Sequence, residues 1–143
     1  ITLLEQCYII FRLPSYARNL RHELKASRKI YFYDNGIRNA LIADYSAPEI
    51  RQDIGALWEN FVVSERMKCN EYYRRWVNRY FWRTTQQQEI DYLEEGGGKL
   101  QAYEIKWNAR KKATITKTFT DAYPDTAFKV ITPDNIAEFL LPE

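Results

Sequence analysis

Three residues in the stretch EIDYLEEGGGKLQAYEIKW, residues 89–107, have types and spacings suited to chemistry: Asp91, Glu104 and Lys106. Side chains at i and i+2 of a strand share a face, so Glu104 and Lys106 stand together. Gln101, Tyr103, Ile105 and Trp107 take the other face. The glycines Gly96, Gly97 and Gly98 turn the chain between two β-rich segments, which reads as a hairpin. A loop with an even number of residues, such as Glu95 to Gly98, makes opposed positions sum to an odd number, and Asp91 then joins the face of Glu104 and Lys106. A loop with an odd number would separate them. A pair of carboxylates suits a hard divalent cation, and a nearby ammonium stabilises negative charge that develops on a reacting group. The same residues also make an ordinary exposed ion pair on a half-solvated strand, worth little energetically.

The elements around this stretch must position it. From Asp53 the spacing of Ile54, Leu57, Trp58, Phe61 and Val62 predicts an amphipathic helix that runs to about Cys69. Tyr80–Thr84, Glu89–Leu93 and Leu100–Trp107 read as three strands. Ile115, Phe119 and Tyr123, four apart, predict a further helix. Phe128–Ile131 is a last strand, after which Thr132 and Pro133 offer an N-cap and a first-turn proline to a helix with Ile136, Phe139 and Leu140. The order from residue 53 is αβββαβα.

Before it, residues 7–11 and 29–33 are β-rich runs that flank a basic segment with Pro14, as in a long-looped hairpin. Asp34, Asn35 and Gly36 punctuate the chain, and Ile37, Leu41 and Ile42 start a short helical stripe that ends before Pro48. These features divide the chain into residues 1–50, a basic hairpin and short helix, and residues 51–143.

The composition bounds the classes. A chain of 143 residues, 45% hydrophobic and 15% aromatic, buries a proper core. A net charge of +2 is too small to imply nucleic acid, but the basic residues cluster. Arg12, Arg18, Arg21, Lys25, Arg28 and Lys29 stand against Glu23 alone, and residues 66–83 and 106–117 are also mainly basic. Cys7, Cys69 and the single His22 give neither a disulfide framework nor zinc spacing. No apolar run approaches the roughly 20 residues that span a bilayer, so no membrane partner and a cytoplasmic location are expected. The start on Ile1 inside an apolar context reads as a piece of something longer.

An acidic residue on the first helix, an aspartate on the second strand and Glu-x-Lys on the third, in αβββαβ order over roughly residues 53–132, resembles the PD-(D/E)XK nuclease superfamily. In detail, GALWENFVVSE, EIDYLEE and AYEIKWN, preceded by FRLPSYARNL and KIYFYDNGI, resemble the domain that follows the ATPase module in many prokaryotic AAA+-type ATPases. The resemblance implies an α/β, restriction-endonuclease-like core with a mixed central sheet flanked by helices. It also implies that residues 1–50 are the remnant of a winged-helix-like unit, with an ATPase module of the same chain before them. Ile90 stands where the name-giving proline of the superfamily would be. The activity it implies is Mg2+- or Mn2+-dependent hydrolysis of DNA, with the metal on Asp91 and Glu104 and Lys106 as the charge-stabilising group. Symmetric cutting of a branched DNA would need a homodimer. The alternative is a non-catalytic domain that recognises DNA or a protein.

Two helix acids compete for the remaining catalytic position. Gly55-x-x-x-Glu59 resembles the first motif of the superfamily, whereas Glu65 lies in phase with the apolar stripe and Glu59 about 120° from its centre. Glu59 is therefore assigned to the site and Glu65 to a buried, hydrogen-bonded structural role. Tyr72, Tyr73, Trp76, Tyr80 and Trp82, interleaved with arginines, read as core and rim packing rather than as a stacking platform. Arg74, Arg75 and Arg79 are candidate phosphate contacts, and Arg110, Lys111 and Lys112, just beyond the Glu-x-Lys strand, are better placed ones.

Overall fold

The first layer of the structure, a computed structural model that describes residues 1–141, is a hairpin. A short helix α1 (Thr2–Gln6) leads into β1 (Ile10–Pro14), which pairs antiparallel with β2 (Arg28–Phe32). Helix α2 (Asn35–Ile42), capped by the Asp34 carboxylate, and a 3-10 turn at Pro48–Ile50 then lead to the long helix α3 (Ile54–Tyr72). The rest alternates as expected: β3 (Asn78–Arg83), β4 (Glu89–Gly96), β5 (Lys99–Ile105), α4 (Lys117–Ala122), β6 (Ala127–Ile131) and α5 (Ile136–Leu140). Strands β3–β4–β5–β6 form one sheet in that order, antiparallel except for β6, which runs parallel to β5. The fold is mixed α/β.

Alternating side chains give the sheet two apolar faces. Phe81, Tyr92, Tyr103, Ile105 and Ile131 pack with Trp58, Val62 and Val63 of α3 and Phe139 of α5. Trp82, Leu93 and Ala102 pack with Phe119 of α4 and with Tyr123. The first core also takes in Leu13 and Tyr31 of the hairpin, so it runs across the sequence boundary near residue 50. The segment after β1 lies along the edge of β3, where Tyr16 N–H donates to the Phe81 carbonyl (2.7 Å) and Leu24 N–H to that of Arg83 (3.0 Å). This covers an otherwise open sheet edge.

Several local expectations change. The turn between β4 and β5 has two residues, Gly97 and Gly98 at φ 58° and 73°, rather than the four of Glu95–Gly98. Two consecutive positive φ values fit a tight primed turn that glycine adopts without strain. Opposed residues still sum to an odd number, and Tyr92 faces Tyr103. The buried side of α3 is rotated from the expected stripe: Val62, Val63 and Met67 are buried, while Phe61 is 39% exposed. Glu65 consequently sits near the surface with Lys68 (2.7 Å) and is no buried carboxylate. The last helix starts at Ile136 with Asn135 as its cap residue. Thr132 and Pro133 belong to the preceding turn, where Asp134 N–H donates to Thr132 Oγ1 (3.3 Å). Of the aromatic run, Trp82 is fully buried, whereas Tyr72 and Trp76 are 81% and 86% exposed and do not pack in the core.

Candidate functional site

Asp91 is set by an irregularity that sequence parity does not contain. Tyr80 pairs with Leu93 and Trp82 with Ile90, so Phe81 alone faces both Asp91 and Tyr92. Such a β-bulge bends the strand and re-aims a side chain. It also explains why Ile90 and Leu93, of opposite parity, share one core. Beyond Tyr92–Tyr103 the β4–β5 ladder ends, and the Asp91 carboxylate occupies the gap, with Oδ2 accepting from Ile105 N–H at 2.8 Å. Bulge and splay together, rather than an even loop alone, therefore place Asp91.

Four carboxylates and two lysines meet there. Lys106 Nζ lies 2.9 Å from Glu104 Oε2 and 4.0 Å from Asp91 Oδ2. On the other side, Lys29 Nζ lies 2.8 Å from Glu59 Oε1, is ion-paired to Glu89, and stands 3.9 Å from Asp91 Oδ1. The two ammonium groups thus address different oxygens of one aspartate. Tyr31 Oη donates to Glu59 Oε1 at 2.6 Å, and Arg83 Nε donates to Glu89 Oε2 at 2.7 Å. The structure brings Glu59, Asp91, Glu104 and Lys106 together and adds Lys29, Tyr31 and Glu89.

The added residues have visible origins. Lys29 and Tyr31 are i and i+2 on β2, the same spacing that singled out Glu104 and Lys106. That spacing lies in KIYFY, where Lys29 is also the last charge of the basic run from Arg12. Glu89 stands two residues before Asp91 at the start of β4.

The electrostatics are unbalanced. Burial, then the neighbouring Glu59 and Glu104 carboxylates, push the Asp91 pKa up to about 7 against the opposing Ile105 N–H and Lys29. Burial pulls Lys29 down, but Glu59 and Glu89 outweigh it and its net shift is upward. Lys106 is likewise raised, with burial outweighed by Glu104 and Asp91. Burial pushes Glu89 up, yet Lys29 and Arg83 hold it below its usual range.

Among the described residues, no group of three or more His, Cys, Asp or Glu side chains is disposed to hold a metal ion by itself. Magnesium asks for less, since it commonly binds through one or two carboxylates with water and substrate phosphate completing its shell. Asp91 and Glu104 supply that donor set, and Asp91, raised first by burial and then by the Glu59 and Glu104 carboxylates, is a group that a bound cation would help to ionise. The residues fit the ion.

The other polar groups stand apart from this cluster. Glu94, 4% exposed, accepts from Arg66 Nε and Nη2 (2.8 Å each), Asn70 Nδ2 (2.7 Å) and Tyr92 Oη (3.0 Å). Glu23 is also buried and accepts from Trp82 Nε1 (2.8 Å) and Tyr123 Oη (2.6 Å). Both are satisfied structural carboxylates. Arg110, Lys111 and Lys112 are exposed on the loop that leaves β5 just after Lys106. Arg74, Arg75 and Arg79 lie where α3 ends and β3 begins, with Arg79 opposite Glu94 and away from Asp91. Arg75 Nη1 donates to the Leu140 carbonyl (3.4 Å). The structure therefore does not bring this arginine group to the carboxylates. No helix among the described residues is long and apolar enough to cross a membrane.

Comparison with known proteins finds two family models, whose matches overlap over residues 54–65. The model of a domain of unknown function, DUF8612, matches residues 1–65. Two relatives, an uncharacterized protein of Mycobacterium bovis and one of Mycobacterium tuberculosis, are each 30% identical over 108 residues. The match covers 72% of this chain and 23% of each relative, so the chain spans about a quarter of the length of the curated relatives it matches. No solved structure matches the chain. A second family model, for the domain of unknown function DUF4143, matches residues 54–138, more than half of the 143 residues, and the chain belongs to that family.

Proposed function

We propose that this chain carries a PD-(D/E)XK-type nuclease domain, with a restriction-endonuclease-like core, that works beside an AAA+-type ATPase module and hydrolyses DNA phosphodiesters with Mg2+ or Mn2+. The observation that carries the reading is the meeting of Asp91, Glu104, Lys106 and Glu59 where β4 and β5 part, in an αβββαβ order. Asp91 and Glu104 would hold the cation, which supplies Lewis acidity toward a phosphoryl oxygen and lowers the pKa of a bound water. Lys106, 34% exposed and raised in pKa, keeps its positive charge beside the scissile phosphate and stabilises the negative charge that grows there. Glu59 is held by Lys29 and Tyr31 through Oε1 and orients groups around Asp91. Arg110, Lys111 and Lys112 extend from the same strand end as phosphate contacts that position DNA without reading its sequence.

A second reading has one observation in its favour. Lys29 and Lys106 already pair with every carboxylate of the cluster, as in a closed structural network of a non-catalytic DNA- or protein-recognition domain. Isothermal titration separates the two. The nuclease reading expects saturable Mn2+ binding that Asp91→Ala abolishes; an Asp91→Ala variant that binds Mn2+ like the parent contradicts it.

A further inference from the structure

Lys29 enters the carboxylate cluster from outside the DUF4143 match, which begins at residue 54, on a strand that belongs to the hairpin. Its ammonium reaches three acids from three directions: Glu59 of α3, and Glu89 and Asp91 of β4. The side chain is 15% exposed, and its ammonium stands over the Phe81 ring, with Nζ 5.4 Å from the ring centroid. Lys29 is therefore held in place, unlike a surface lysine that trades one partner for another. The strand that bears it is fixed on the core by Tyr31 and by Asn60, whose side chain bonds both the N–H and the carbonyl of Phe32 (2.8 and 2.9 Å). A positive charge among the carboxylates offsets their mutual repulsion, which is strong in a partly dry site.

We propose that Lys29 is the resident counter-ion of the site: it holds Glu59, Glu89 and Asp91 together in the metal-free protein, and a divalent cation must compete with it for Asp91, so that docking of the hairpin sets the metal affinity. This rests on the metal reading above and adds its regulation. A hairpin pressed against the sheet keeps the ammonium 3.9 Å from Asp91 Oδ1 and weakens cation binding; anything that draws β2 away strengthens it.

The test uses the whole chain without metal and titrates Mn2+ by calorimetry at neutral pH. Lys29→Met removes the charge and keeps the stem, and Lys29→Gln keeps a polar head that can still bond Glu59 should the Met variant not fold. Both are expected to bind Mn2+ at least about tenfold more tightly than the parent, the scale of losing one unit charge at ~4 Å in a medium of intermediate dielectric. Their melting temperatures should also rise more steeply with Mn2+. Lys29→Arg and Lys99→Met, the latter removing a charge from the remote β4–β5 turn, should match the parent. If the parent binds Mn2+ and cleaves DNA but the neutral variants bind no more tightly, the counter-ion role is wrong and the hydrolase reading stands. Tightened binding in variants of a parent that never cleaves upholds the counter-ion and removes the hydrolase. No Mn2+ binding by parent or variants overturns both.

Discussion

Asp91 is the hinge of the chemistry because its two oxygens face different neighbours, Lys29 on one side and Lys106 with Ile105 N–H on the other. Its raised pKa, about 7, has a definite sign in stability. An unfolded aspartate loses its proton near pH 3.9, so between about pH 4 and 7 the folded protein holds a proton that the unfolded chain has lost, and this contribution to stability fades as pH rises. Asp91→Asn keeps an acceptor for Ile105 N–H and cannot ionise. In metal-free buffer it should gain on the parent by ~2 kcal/mol between pH 5 and 7.5 in urea unfolding; parallel pH profiles would contradict the assignment. Lys106 and Glu104 divide their work differently. Lys106→Met should lower the cleavage rate by roughly 10²-fold or more without weakening Mn2+ binding, whereas Glu104→Gln should weaken the binding itself. Equal cleavage by Lys106→Met and the parent under saturating Mn2+ would remove the catalytic role of that lysine.

At the scale of elements, the pattern of strands and helices from residue 53 was legible because each has a clear period or a turn residue at its end. The apolar stripe of α3, the glycines before β5 and the β-rich runs all lie in the chain where the structure puts elements. The bulge at Asp91–Tyr92 was not legible, since no glycine or proline marks it and its cause is the fit of Phe81 against two residues of β4. Glu94 was equally hidden. In EIDYLEE it looks like a solvent residue, yet it closes a buried network with Arg66, Asn70 and Tyr92 whose members lie 24 or more residues away or on its own strand. This network ties α3 to β4 and so holds Glu59 and Asp91 in one frame. Arg66→Ala leaves a buried carboxylate without its partner and should cost about 3–5 kcal/mol in chemical unfolding, much of it recovered in Arg66→Met/Glu94→Gln. A loss below about 1 kcal/mol would show that the network does not hold the frame. Lys29 was legible only in part: the Lys29-x-Tyr31 spacing lies in KIYFY, but the partners of the ammonium come from α3 and β4, far along the chain.

For the whole molecule, the hairpin and the four-stranded sheet share a core, so the site is made by both halves of the chain. Basic residues are unevenly placed about it. Arg110, Lys111 and Lys112 leave the strand end beside Lys106, while Arg74, Arg75 and Arg79 stand at the far end of the sheet. If DNA lies across the carboxylates, its affinity should fall steeply with salt, and neutralising Lys111 and Lys112 together should flatten the plot of log affinity against log salt by about 2, more than neutralising Arg74 and Arg79 does. Binding that ignores salt would favour recognition of a protein instead. Metal-dependent cleavage is read from labelled DNA. The parent and Asp91→Asn, both shown to be folded, are incubated with end-labelled linear, flapped and branched DNA in Mg2+ or Mn2+ and in chelator. Cleavage of at least one substrate by the parent in metal is expected, with none in chelator and none by Asp91→Asn; cleavage that persists in Asp91→Asn, or a parent that binds metal and DNA yet cuts nothing, overturns the nuclease reading.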